Sequence, residues 1–342
     1  MTNPHTHLAG CGCVDVHTHV VPLEFPKYAG RHAGARWPSM TDAKPCHRHV
    51  LLDGKVYRTV SHQNWDTGVR TQDMAASGVE RQVLSAMPEL LSYWLEPDDG
   101  VAMCRFLNET IAGMVATDPG RFTGLGAVPL QDVDLAIREL EHAVRVLGLA
   151  GVEIGTNVDG VPIGAERFQP FFRACVELGA AVFVHALRPA GMDRLVGPPV
   201  FEQTIAFPGE VGLAAASMIT GGSLFANPGL RIAFSHGGGS LQILIARMQH
   251  AWEAIPGVRD ALREAPRDSA RRMYFDDLLY DKVAIEALVH LVGPSQVMVG
   301  TDYPFAILDK DPLGRVASLA LPGEVQRALV RDNALRWLGL AA

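Results

Sequence analysis

The sequence predicts an α/β fold, a (β/α)8 TIM barrel with a small insertion subdomain after its first strand. Three observations predict it: eight short apolar runs of strand length, helical periodicity in the gaps between them, and histidines or aspartates where several of the runs end. Strands that alternate with helices form a parallel sheet covered on both faces, and eight such units close a barrel. An open doubly wound sheet is the rival architecture. It usually carries a glycine-rich phosphate turn after the first strand, and no G-x-G-x-x-G follows here.

The first strand is read in Val14-Asp15-Val16-His17-Thr18-His19-Val20. Alternate residues of a strand share a face, so His17 and His19 can converge on one ion. A second His-x-His, His5-Thr6-His7, sits between Pro4 and Gly10 with no strand to aim it and reads as a solvated terminus. Residues 22–65 are rich in Gly, Pro, His and Arg and read as an inserted cap over the His pair. Within it, Asp53-Gly54 between Val50-Leu51-Leu52 and Lys55-Val56-Tyr57-Arg58-Thr59-Val60 predicts a tight hairpin, because such turns demand positive φ.

The remaining seven strands are expected at 81–87, 122–128, 151–155, 181–185, 231–236, 273–277 and 296–302. Leu135, Leu140, Val144 and Leu147 recur at helical spacing, with Asp134, Arg138, Glu141 and Arg145 outside. The expected domain organisation is one barrel over 1–342, carrying the 22–65 cap. A chain of 342 residues, 48% hydrophobic and 20% charged, has ample material for it.

The net charge of −7 is spread rather than blocked and offers no basic footprint for nucleic acid. No apolar run is long enough to span a bilayer, and the N-terminus lacks a basic and then apolar leader. Five irregularly spaced cysteines make no disulfide framework. Cys104 and Cys175 fall in helical patterns as small core residues. The expected location is cytoplasmic.

In a parallel barrel all strand C-termini lie on one rim, so His17, His19, His185, His236 and Asp302 are expected to meet. Three imidazoles and a carboxylate suit one Zn²⁺ per chain, which lowers the pKa of a coordinated water to roughly 7. His236 is assigned to proton transfer; the alternatives are a fifth ligand or a hydrogen bond to Asp302. A guanidinium fork suits a carboxylate, and Arg58 lies in the cap. Gly237-Gly238-Gly239 is a candidate anion nest.

Val14-Asp15-Val16-His17-Thr18-His19, Phe183-Val184-His185, Phe234-Ser235-His236-Gly237-Gly238-Gly239-Ser240 and Gly300-Thr301-Asp302-Tyr303-Pro304-Phe305 together resemble the signature series of the amidohydrolase superfamily. Within it they are similar to the branch containing aminocarboxymuconate semialdehyde decarboxylase and related non-oxidative aromatic-acid decarboxylases, as are Asp53 through Arg58 and Trp65-Asp66. The resemblance implies Zn²⁺ on His17, His19, His185 and Asp302, with His236 activating water and His236 and Asp302 as the catalytic groups. It also implies that Arg58 and Arg247 bind the substrate carboxylate, Arg247 reaching into the site of the other subunit of a homodimer.

The sequence departs from those decarboxylases after His185, where Ala186-Leu187-Arg188 replaces an aromatic and acidic run. Arg188 is therefore a candidate for a second anionic group on the substrate. Glu153, on the fourth strand, stands where other branches place a metal-bridging residue; a second metal there is the lesser reading, and a bonded or outward-facing side chain the main one. The reaction expected is decarboxylation of a small unsaturated or aromatic acid; the alternative is a hydrolase or hydratase acting on an amide, lactone or C=C bond.

Overall fold

The computed structural model describes Leu8 and residues 10–341, and the His5-Thr6-His7 pair lies outside them. The described residues form thirteen strands: β1 (Cys13–Val20), β2 (Ser39–Lys44), β3 (His47–Leu52), β4 (Lys55–Ser61), β5 (Val79–Ala86), β6 (Phe122–Ala127), β7 (Gly151–Gly155), β8 (Asn157–Val158), β9 (Val161–Pro162), β10 (Ala181–His185), β11 (Arg231–Phe234), β12 (Tyr274–Asp276) and β13 (Val297–Met298). Eight of them form one parallel sheet in the order β1-β5-β6-β7-β10-β11-β12-β13. The two ends of that sheet meet. Val16 N–H donates to Val299 O at 2.9 Å, and beyond β13 His19 N–H donates to Tyr303 O at 2.7 Å, closing the barrel.

The eighth strand is shorter than its sequence implies. Only Val297–Met298 is regular, and Gly300 through Phe305 leaves the ladder to carry Asp302 across the mouth. The helix expected around Leu140 spans Val133–Arg145, but the residues it buries are Ala136, Glu139, Leu140 and Ala143, while Leu135, Val144 and Leu147 are half-buried. Glu139 tolerates burial because Arg105 meets it at 2.7 Å and Asn108 donates to it at 2.9 Å.

A bulge shapes the first strand. Asp15 pairs with Gln82 and Thr18 with Leu84, so β1 holds one residue more than β5 across that interval. Val16 can thereby join the inner core while His17, the next residue, also lies against Phe183, at 5.2 Å between rings. Below these, the C-terminal helix Asn333–Leu338 closes the barrel floor. Trp337 is fully buried, packs edge-on against Phe183 and donates its indole N–H to Arg231 O at 3.2 Å. The larger apolar core lies between strands and helices.

The insertion folds as an antiparallel sheet, β2-β3-β4. The Asp53-Gly54 turn joins β3 to β4 with φ of 54° and 70°, as the hairpin reading required. β2 went unread because Ser39–Lys44 is polar and largely exposed.

Candidate active site

β1 ends inside the mouth with His17 Nε2 and His19 Nε2 3.1 Å apart. His19 Nε2 lies 3.0 Å, and His17 Nε2 3.6 Å, from Asp302 Oδ1. His185, the last residue of β10, donates Nδ1–H to Ala186 O at 2.9 Å, which leaves its Nε2 lone pair for the site. Ligand atoms of His17, His19, His185 and Asp302 all lie within 4.8 Å of one another, and all four residues are buried. Nitrogen and oxygen donors this close, out of water, fit a common divalent cation. These four residues are a site able to hold one metal ion.

His17 is oriented from behind. Its Nδ1–H donates to Asp276 Oδ2 at 2.7 Å, and Asp276 Oδ1 accepts from Gly237 N–H at 2.8 Å. Burial opposes a charge on His17, but Asp276 outweighs it and pushes the imidazole up to about 9. Asp276 and Asp302 stay below the usual carboxylate range despite burial, through their histidine partners. Burial pushes His19 and His185 down, so both are neutral donors.

His236 and Asp302 lie just past their strands, with φ of 54° and 63°. Such positive φ is uncommon for residues other than glycine and concentrates where geometry matters. His236 is not one of the four clustered residues. Its ring centroid is 5.0 Å from that of His185, and its Nδ1 is 3.2 Å from Ser235 Oγ. Burial, then the neighbouring His17, pulls it down to about 4, leaving it neutral at pH 7.

The three glycines after His236 also have positive φ, and a Cβ at Gly239 would fall 1.9 Å from Pro208 O. They do not make a free anion nest. Gly237 N–H serves Asp276, Gly238 N–H donates to Ser235 O and Gly239 N–H to His236 O.

A cavity of about 260 Å³ opens above the cluster, lined by His19, His185, His236 and Asp302 at its base. Arg58 reaches into it from β4. Its guanidinium lies 4.4 Å over the Phe305 ring, and Phe305 stacks on His19 at 4.9 Å. No carboxylate among the described residues pairs with Arg58.

Arg188 also lines the cavity, but it is not a free cation: it meets Glu89 Oε1 at 3.1 Å and covers Trp94 at 4.1 Å. Arg247 is exposed on the helix Leu241–Ala254 and does not line the cavity of its own chain. Glu153 is fully buried on β7 outside the four-residue cluster. Burial pushes its carboxyl up to about 8, and the Ser85 hydroxyl beside it donates instead to Thr18 O at 3.0 Å.

Asp276 was missed in the sequence, although Asp276-Asp277 at the end of the seventh barrel strand obeys the same strand-end logic as His185. Arg70 gave no signal. It is fully buried, donates to Gln82 Oε1 at 3.0 Å and to the His19 carbonyl, and lies 4.9 Å over the Tyr303 ring.

A closed parallel barrel with three imidazoles and an aspartate converging at its C-terminal mouth defines an amidohydrolase-type metal enzyme. The sequence model of the amidohydrolase family matches residues 14–340, and the chain belongs to that family. It is 35% identical to 2-amino-3-carboxymuconate-6-semialdehyde decarboxylase of Dictyostelium discoideum, over 96% of this chain and 91% of that one. Among solved structures, the apo IDCase of Metarhizium anisopliae superposes with a TM-score of 0.80 at 21% identity, covering 96% and 97% of the two chains. 5-Carboxyvanillate decarboxylase of Sphingomonas paucimobilis gives 0.74 at 25% identity, covering 82% and 85%. Among the described residues no helix is long and apolar enough to cross a membrane.

Proposed function

We propose that the chain is a metal-dependent carboxy-lyase, a non-oxidative decarboxylase of a small unsaturated or aromatic carboxylic acid. The observation that carries this reading is one cavity lined by three of the four clustered ligands, His19, His185 and Asp302, and by Arg58, a cation with no carboxylate partner among the described residues. The activity of the 35%-identical relative supports it. His17, His19, His185 and Asp302 hold one Zn²⁺, the ion suited to three imidazoles and a carboxylate. When bound, the ion supplies a positive charge that polarises an oxygen of substrate or water.

Arg58 binds the substrate carboxylate, with Phe305 beneath its guanidinium fixing the plane of the fork. Loss of CO2 breaks the bond between the carboxylate carbon and its neighbour, leaves the electron pair on the neighbour and needs one proton to replace the carboxylate. Neutral His236 is in the form that takes a proton from water and passes it on. Asp302, held as a carboxylate among the metal ligands, completes the catalytic set.

The protein works as a cytoplasmic homodimer, one barrel domain per 342-residue chain with residues 22–65 as its cap, and Arg247 of each chain serves the other's site. A carboxyl-labelled panel of hydroxybenzoates, carboxylated catechols and muconate semialdehydes tests the reaction. Label should leave as CO2, and Arg58→Ala should lower kcat/KM. Label retained in a product that has gained water would make the enzyme a hydrolase or hydratase instead.

A further inference from the structure

One part of the cavity wall is rich in acceptors. Glu89 and Glu202 both line it, with Tyr57 and Gln203 beside them. Glu89 stands on the short turn Pro88–Leu91, its side chain 14% exposed, and gives one oxygen, Oε1, to Arg188. Its other oxygen has no hydrogen-bond partner among the described residues. Burial raises the Tyr57 hydroxyl to about 12; Glu89 pushes the same way, Arg58 the other and Glu202 up again, which places these side chains in one neighbourhood.

Arg188 is built to serve Glu89. Its φ of 45° is left-handed, and the loop is held on both sides of it. Asn157 donates to Leu187 O at 2.8 Å, and Glu210 accepts from Ala190 N–H at 3.1 Å and from Asn157 at 2.9 Å. Trp94 covers the guanidinium face. The positive charge is thus spent on an internal carboxylate, and a second substrate anion placed here would meet Glu89 and Glu202.

Resting on the decarboxylase reading, we infer that Glu89 is a specificity-determining residue of the substrate cavity, with Arg188 as its positioning residue. Its free oxygen takes an O–H or N–H donor, so the substrate is a small carboxylate whose hydroxyl or amino group comes within reach of Glu89 when its carboxylate lies on Arg58. A hydrogen bond to a charged acceptor is worth about 10- to 150-fold in affinity.

Calorimetric binding to the zinc-loaded full-length protein tests this with benzoate, the hydroxy- and aminobenzoate isomers, and isophthalate. At least one donor-bearing isomer should bind about 10- to 150-fold tighter than benzoate. In Glu89→Ala that ratio should fall to within about threefold of unity, and in the near-isosteric Glu89→Gln it should be intermediate. Arg188→Met should lower the same ratio. A ratio unchanged in both Glu89 variants overturns the inference. So does isophthalate as the tightest ligand with its affinity lost in Arg188→Met, which would return Arg188 to binding a second anion. If ligands bind as expected and none releases CO2, the donor subsite stands and the decarboxylase reading falls. If no carboxylate binds, both fall.

Discussion

His17 Nδ1 lies 2.7 Å from Asp276 Oδ2, both side chains wholly buried, so one nitrogen of the first metal-site histidine is permanently committed to a carboxylate. That fixes the ring and the tautomer and leaves Nε2 as the donor atom. Asp276→Asn keeps the shape but not the charge. At pH 9.5, where proton competition has largely ended, chelator-buffered titration should give zinc affinity about 10–100-fold weaker in this variant. Equal affinity would reduce Asp276 to a packing residue.

The same pair sets a pH dependence. Asp276 raises His17 from 6.5 to about 9 in the metal-free chain. A histidine with a raised folded pKa contributes stability that is fully present below pH 6.5 and lost as pH rises through about 9. An ion needs the neutral ring, so its uptake at pH 7.5 expels the His17 proton. Calorimetry in buffers of different ionisation enthalpy should find about one proton released per zinc at pH 7.5, and less in Asp276→Asn. Release that does not fall in the variant would detach the proton from His17.

His236 is predicted to separate from the metal. It lies beside the four clustered residues, not among them, and is held neutral by burial. His236→Ala should keep its zinc by elemental analysis while turnover drops by about 10²–10⁴-fold. His17→Ala and Asp302→Ala should lose both. Zinc lost from His236→Ala would make it a ligand.

Much of this site was legible because a strand's alternation tells where side chains point. His17, His19 and His185 could be placed on one rim from their runs alone. His236 and Asp302 were found as residues, but not as left-handed residues outside the ladder, since nothing in Gly300-Thr301-Asp302 announces that the regular strand stops at Met298. Arg188 was legible as a cavity residue but not in its pairing. It meets Glu89, 99 residues away, and pairing at that range is a property of the fold. Asp53-Gly54 gave the hairpin because its chemistry is local. Polar β2 did not, because its pairing with β3 supplies the structure.

Arg247 tests how far the site extends beyond one chain. It is exposed and absent from the cavity lining, so any role in binding the carboxylate requires a second subunit. In a twofold dimer each site would take Arg58 from its own chain and Arg247 from the other, as an isologous interface permits. Arg58→Ala and Arg247→Ala homodimers should then each lose most activity. In a mixed dimer one site inherits both lesions and the other neither, so that second site is intact. Equal mixing makes half the dimers mixed with one good site in two, and activity should recover to about a quarter of wild type. Were both arginines drawn from one chain, every site would carry one lesion and mixing would restore nothing. Subunit exchange confirmed by a tag pull-down, with no return of activity, would therefore confine the site to a single chain.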